Sequence, residues 1–150
     1  MSRRYLSDGV VILRLRSVEK SYCFFPTAYN FDIYGEKNNE MIGRCDYRCL
    51  NNEENYYAGN IGYMIYPEYR GNGYAHLAAE LLCKHAYRKG RRFIYITCSP
   101  ENIASHKTIN KLNAEFLKEV EVPKNHYLHA QGEKIKYIFK IQLTNRYKKV

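Results

Sequence analysis

Ile61-Gly62-Tyr63-Met64-Ile65-Tyr66-Pro67-Glu68-Tyr69-Arg70-Gly71-Asn72-Gly73-Tyr74-Ala75 is the stretch whose reading decides the fold of this chain. It runs from a short apolar strand, stopped by Pro67, through a tight two-glycine loop into the start of a helix. Glycine adopts positive φ without penalty and lets a ligand approach the backbone closely. The first amides of a helix have no intrahelical partner and sit at the positive end of its dipole, so they point as donors at an anion. Arg70 adds a planar cationic fork suited to phosphate. The segment therefore reads as a pyrophosphate site. It has neither the lysine of a P-loop nor a full GxGxxG fingerprint, which argues against a nucleoside triphosphate or a dinucleotide.

Working outward, Gly73 to Lys89 is the clearest helix. Ala75, Ala78, Leu81, Leu82, His85 and Ala86 form an apolar stripe opposite His76, Glu80, Lys84 and Arg88, and Gly90 ends it. Phe93–Cys98 is short, continuously apolar and rich in β-branched residues, as in a sheet interior. Ser99-Pro100-Glu101-Asn102 opens a second helix running to about Leu112. Upstream, Val10–Leu15 reads as a first strand, and Phe31, Ile33 and Gly35 belong to a second. The third, from Met41 to Leu50, alternates Cys45, Tyr47 and Cys49 with Arg44, Asp46 and Arg48, the pattern of a half-buried strand. Asn51-Asn52-Glu53-Glu54-Asn55 reads as a loop. Downstream come Glu115–Val122, an excursion over Pro123–Glu133, and a final strand Ile135–Leu143. The order β-β-β-β-α-β-α-β-β predicts an α/β domain spanning 1–150: a mixed, twisted sheet of about seven strands with helices packed on it. The βαβ unit between Ile61 and Cys98 is expected to be parallel and right-handed.

Composition narrows the class. A chain with 45% hydrophobic and 26% charged residues can bury a core, and it has no apolar run of membrane-spanning length. The segment Met1–Leu6 lacks the apolar region of a signal peptide, so a cytoplasmic location is the expectation. The cysteines (Cys23, Cys45, Cys49, Cys83, Cys98) show no CxxC spacing. Cys45 and Cys49 would lie roughly 13 Å apart along a strand, too far for a disulfide, so reduced core thiols without a metal are expected. The net charge of +9 is concentrated in residues 84–92 and 133–150. Such charge suits an anionic cofactor or nucleic acid, and equally a solvated basic face.

The run Pro67 to Ala75 resembles the acetyl-CoA motif of the GNAT superfamily, (Arg/Gln)-x-x-Gly-x-(Gly/Ala), matched at Arg70, Gly73 and Ala75. A second stretch, Asn102-Ile103-Ala104-Ser105-His106-Lys107-Thr108-Ile109-Asn110-Lys111-Leu112, resembles the Asn-x-x-Ser form of the ribosomal-protein N-terminal acetyltransferases. The resemblance implies a GNAT fold whose fourth and fifth strands splay apart to admit the pantetheine arm of acetyl-CoA. The edge of Gly62–Tyr66, including Met64, Ile65 and Tyr66, would pair with that arm. Arg70, Gly71, Asn72, Gly73, Tyr74 and Ala75 would hold the pyrophosphate, Asn102 would bond the pantetheine, and an amide near Met64 or Ile65 would face the thioester oxygen. Asn102 reads equally well as a helix cap, and Ser105 as its partner in that turn.

Two positions depart from the family. Many members place a tyrosine on the second helix to protonate the departing thiolate, where this chain has Ile109; Ser105, one turn earlier on the same face, is the nearest substitute. Asn113 replaces the glycine that usually ends this helix. A base for the attacking amine is not fixed by the motifs; Asp46, Glu53, Glu54, Glu119 and Glu121 are candidates. The implied activity is acetyl transfer from acetyl-CoA to a primary amine by direct attack. A peptide or protein amine is slightly favoured over a polyamine or amino sugar, because only Ser17 to Tyr29 separates the first two strands, room for at most a short helix and so an open acceptor side. The excursion 123–133 or a second copy of the chain in a homodimer could complete that wall. A basic RNA- or ribosome-associated module on the same fold, without catalysis, is the competing class.

Overall fold

The computed structural model describes residues 4–148. Its first sheet is β1 (Tyr5–Ser7), β2 (Val11–Lys20), β3 (Pro26–Gly35), β4 (Met41–Arg48) and β5 (Ile61–Ile65), each antiparallel to the next. Its second sheet orders β6 (Phe93–Cys98), β8 (Ile135–Gln142) and β7 (Glu115–Glu121), again antiparallel. Four helices accompany them: α1 (Glu53–Ala58), α2 (Tyr74–Arg88), α3 (Ile103–Asn110) and α4 (Tyr127–Ala130). The expected α/β architecture is present, with eight strands. The strand–helix–strand unit β5–α2–β6 does not close into one parallel ladder, because β5 and β6 belong to different sheets.

Alternation positions the core. Cys45 and Tyr47 of β4 are buried while Arg44 is exposed and Asp46 and Arg48 are half-buried, as the sequence predicts. The inward rows of β2 to β5 (Leu13, Phe31, Ile33, Cys45, Tyr47, Ile61, Ile65) pack against Ala78, Leu81, Leu82, Cys83 and Ala86 of α2 in one apolar cluster. Leu82 has no exposed surface, so truncating it to alanine would cost about 2–5 kcal/mol. His85 lies inside this packing, edge-on to Tyr29, Phe31 and Tyr47 at 4.6, 5.4 and 5.6 Å. Gly90, at φ +92°, ends α2, and Asn113 takes the left-handed conformation (φ 57°) after α3.

Four features differ from the sequence reading. β1 was not expected. β2 and β3 continue through the predicted 17–29 connection as one long hairpin, so no helix stands between them. The loop 51–55 contains the start of α1, whose N-cap Asn52 accepts a hydrogen bond from Asn55 N–H. The excursion 123–133 folds into α4 against α1: His126 accepts from Leu128 N–H through Nδ1, and its Nε2 lies 3.1 Å from the Glu54 carbonyl. Both contacts are satisfied when Nε2 carries the ring proton and donates. Part of the basic run at 84–92 rests on the protein's own rings, Lys89 over Tyr29 at 4.8 Å and Arg92 over Tyr87 at 4.1 Å. Among the described residues no helix is long and apolar enough to cross a membrane.

Candidate active site

A 3-10 turn over Pro67–Tyr69 carries the chain out of β5. Gly71 and Gly73 follow at φ +88° and +76°, and Gly73 is the N-cap of α2. The first α-helical bond runs from Leu77 N–H to Gly73 O at 3.2 Å, which leaves the amides of Tyr74, Ala75 and His76 without an intrahelical acceptor. No side chain caps this end, and its first turn has no acidic residue. A Cβ built on Gly71 or Gly73 would meet nothing within 4 Å, so the space over the amides is open. Arg70 donates through Nε to the Ile65 carbonyl at 2.9 Å, which fixes its guanidinium beside the loop, and Asn72 Nδ2 donates to Tyr69 O at 3.0 Å. An end that is cationic, uncapped and open is built for an anion with several oxygens, and the residues present fit the pyrophosphate of a coenzyme A molecule.

The loop follows a free strand edge. Arg48 N–H donates to Asn60 O at one end of the β4–β5 ladder, and Tyr66 N–H donates to Ile42 O at the other. With the register Asp46↔Gly62 and Arg44↔Met64, antiparallel alternation turns the backbone polar groups of Gly62 and Met64 toward β4. The Met64 carbonyl indeed lies so close to Gly43 that a Cβ there would collide with it. The N–H and C=O groups of Tyr63 and Ile65 consequently face away from β4, toward β6. Of the two residues expected to present an amide to a thioester, Ile65 has its amide turned away from β4 and Met64 has its amide turned toward it.

Asn60 closes one end of the gap. It is 1% exposed; its N–H donates to Tyr95 O at 2.8 Å, its Oδ1 accepts from Tyr95 N–H at 2.8 Å, and its Nδ2 donates to Arg48 O at 3.1 Å. It thus ties β4, β5 and β6 together, and beyond it β5 and β6 share no ladder. Nothing in the sequence marks this asparagine apart from a turn residue.

Across the gap, the Tyr63 hydroxyl meets Ser105 Oγ of α3 at 3.2 Å. Burial pushes the Tyr63 phenol up, with the Ser105 hydroxyl opposing, so the phenol keeps its proton at neutral pH. Ile109, at the position of the family's tyrosine, is 1% exposed in the core and has no polar role. Tyr63, a core-side strand position in sequence, therefore brings a hydroxyl to Ser105 from the opposite wall. Asn102 caps α3, its Oδ1 accepting from Ser105 N–H at 3.1 Å.

The acidic candidates separate in space. Glu119 and Glu121 lie on β7, which is two strands removed from β6. Glu53 and Glu54 occupy the first turn of α1. Asp46 lies beside β5: a Cβ on Gly62 would come within 2.7 Å of its Oδ1. Its partner Arg48 donates to it from Nε at 2.8 Å and from Nη2 at 3.4 Å, and Nη1 donates to the carbonyls of Ala58 and Gly59, both at 2.9 Å. Asp46 is the acid closest to the strand edge, on the outer face of the sheet, opposite the side occupied by Tyr63 and Ser105.

Known proteins with this arrangement agree on the fold. The chain superposes on the ribosomal-protein-S5-alanine acetyltransferase from Vibrio fischeri with a TM-score of 0.68 at 15% identity, covering 94% of this chain and 97% of that one. It superposes on a spermidine N-acetyltransferase from Vibrio cholerae with a TM-score of 0.62 at 13% identity, covering 81% and 69%. In sequence, 53 residues are 34% identical to an uncharacterized N-acetyltransferase of Bacillus subtilis, 35% of this chain but only 31% of that relative. The sequence pattern of the acetyltransferase (GNAT) domain matches residues 12–115, which takes in the glycine loop, the free edge of β5 and the Asn102–Ser105 turn, and the chain belongs to that family.

Proposed function

We propose that this chain is an acetyl-CoA-dependent N-acetyltransferase in which a primary amine attacks the thioester directly, with a peptide or protein amine as acceptor. The observation that carries the reading is the order in which the elements follow one another from α2 to β5 to α3. Open, uncapped amides at the α2 N-terminus lead onto the unpaired edge of β5, and that edge leads to a pair of hydroxyls at Tyr63 and Ser105. A nucleotide-linked thioester needs these elements in that order: anion donors for the pyrophosphate, strand-edge groups for the amide-bearing arm, and donors where the sulfur leaves.

The residues take the following roles. The amides of Gly71 to Ala75 with Arg70 bind the pyrophosphate, and the backbone of Tyr63 to Tyr66, with Asn102, aligns the arm. Ile65 N–H lies along the edge where the thioester oxygen gains charge. The amine nitrogen forms its bond to the acetyl carbon, the C–S bond breaks, and Ser105, backed by Tyr63, donates a hydrogen bond to the thiolate. The proton lost by the amine passes to Asp46 through water. The fold alone does not choose the acceptor, since proteins named for a ribosomal protein and for spermidine share it. The open side left by the β2–β3 hairpin supports a chain terminus, because a small metabolite needs most of its surface enclosed. The test is thiol release on mixing the protein with acetyl-CoA and amine-terminated peptides. Release that depends on the amine is expected; no release with any amine would overturn the assignment.

A further inference from the structure

The outer faces of β2 to β5 form a shallow, open hollow of about 350 Å³, whose border includes Arg16, Asn30, Arg44, Asp46, Tyr63 and Met64. It lies on the face of the sheet that carries Arg44 and Asp46, with Tyr63 at its border, where an amine would have to approach. Its two ends differ in charge. At one end stands Asp46, its own cation Arg48 committed to two carbonyls as well. Asp46 and Arg48 form an ion pair at 2.8 Å, so this end carries no net charge. At the other end, Arg16 and Arg44 share a single carboxylate, Asp32 Oδ1, at 3.1 and 3.5 Å. Two guanidiniums against one acid leave a net positive charge, and both arginines keep about half their side-chain surface exposed, 43% and 52%.

The cationic end is a constructed feature. The β2–β3 register shifts between Leu15 and Ser17, so Arg16 is the extra residue of a β-bulge, a device that re-aims one side chain out of the regular alternation. The bulge sets Arg16 on Asp32 beside Arg44. Arg44 and Asp46 are two residues apart on one face of β4, roughly 7 Å. That is about the separation between the terminal amine of a peptide and a side-chain carboxylate on its second residue, given 3.8 Å between successive Cα atoms plus the side chain.

Resting on the N-acetyltransferase reading, we infer that this hollow selects an acceptor bearing a carboxylate close to its reactive amine, namely a peptide amino terminus with an acidic second or third residue. The Asp46 end receives the amine and the Arg16–Arg44 end receives the carboxylate. A polyamine would place a second cation against the two arginines, where like charges are repelled.

The experiment compares three acceptors at equal concentration: a peptide beginning Ser-Glu, the same peptide beginning Ser-Gln, and spermidine. The wild type is expected to favour Ser-Glu over Ser-Gln in kcat/KM by roughly 10-fold, the scale of a charge-assisted contact at a half-exposed site. The preference should shrink as salt rises from about 50 to 500 mM. Arg44→Glu should reverse it, and Arg44→Gln, a gentler change if the first variant folds poorly, should abolish it. Calorimetric binding of the Ser-Glu peptide to the protein saturated with CoA reads the same contact without turnover. Equal use of the two peptides, or preference for spermidine, overturns the inference while leaving the transferase intact. Acetylation of no amine, with CoA still bound, removes the transferase reading and this inference with it.

Discussion

Replacing Asn60 by alanine probes the closed end of the strand gap. The variant keeps the backbone bond from Asn60 N–H to Tyr95 O and loses the side-chain bonds from Tyr95 N–H at 2.8 Å, to Arg48 O at 3.1 Å and to Leu50 O at 3.4 Å. The site is 1% exposed, so water cannot replace these partners without entering the core. An unsatisfied buried donor costs about 1–3 kcal/mol. The Arg48 carbonyl, with two lone pairs, suffers less than the Tyr95 amide, so the sum is about 2–4 kcal/mol. At 150 residues each kcal/mol lowers the melting temperature by about 2–4 °C, which predicts a fall of about 4–16 °C. Urea unfolding should show a lower midpoint at an unchanged slope. Because Asn60 fixes where β5 and β6 diverge, CoA affinity should fall as well. A change below about 0.5 kcal/mol would refute the view that this side chain joins the two sheets.

The other consequences are independent of it. Burial pushes the His85 imidazole down from 6.5 to about 4, with the Lys89 and Arg88 charges adding to it, and its Nε2 is buried without a hydrogen-bond partner. The unfolded chain binds this proton more readily than the folded one. Stability is therefore complete above the ordinary value and declines as pH falls from about 6.5 toward 4, by about 3 kcal/mol in all; His85→Phe should flatten that part of the urea-midpoint profile. At the gap, Ser105→Ala should lower kcat roughly 5- to 150-fold with acetyl-CoA affinity within about twofold, since a hydrogen bond made to the departing thiolate is lost only in the transition state. Tyr63→Phe should act in the same direction and more weakly, and the two together should be less than additive; a fully active Ser105→Ala would leave protonation of the thiolate to solvent.

Local rules made half of this molecule legible. The alternation in β4 buries Cys45 and Tyr47 and leaves Arg44, Asp46 and Arg48 at least partly open, and the glycine loop announces itself because positive φ and an uncapped helix are written in residue types. The β2–β3 hairpin escaped because Ser17, Glu19 and Lys20 are exposed, so no period-2 signal survives in its outer half. α1 was hidden by its polarity: the chain Asn52-Glu53-Glu54-Asn55 looks like a loop until Asn52 is seen capping it. The contact between Tyr63 and Ser105 spans 42 residues and has no local signature at all. The same holds for Asn60, whose role depends on a strand that begins more than thirty residues later. Ile109, which stands where many family members have a tyrosine, is buried in the core, and the hydroxyl that meets Ser105 belongs to the facing strand.

Calorimetric titration of CoA against the wild type, Arg70→Ala and Gly73→Val tests the account most directly. The wild type should bind. Arg70→Ala should weaken binding by about 1.5–3 kcal/mol, roughly 10- to 150-fold. Gly73→Val should lose more, because a β-branched residue resists φ +76° and its side chain enters the open space over the amides. Thermal melts of the same samples separate failure to fold from failure to bind. Unchanged affinity in both folded variants would contradict the placement of the pyrophosphate at the start of α2, and with it the function proposed for the chain.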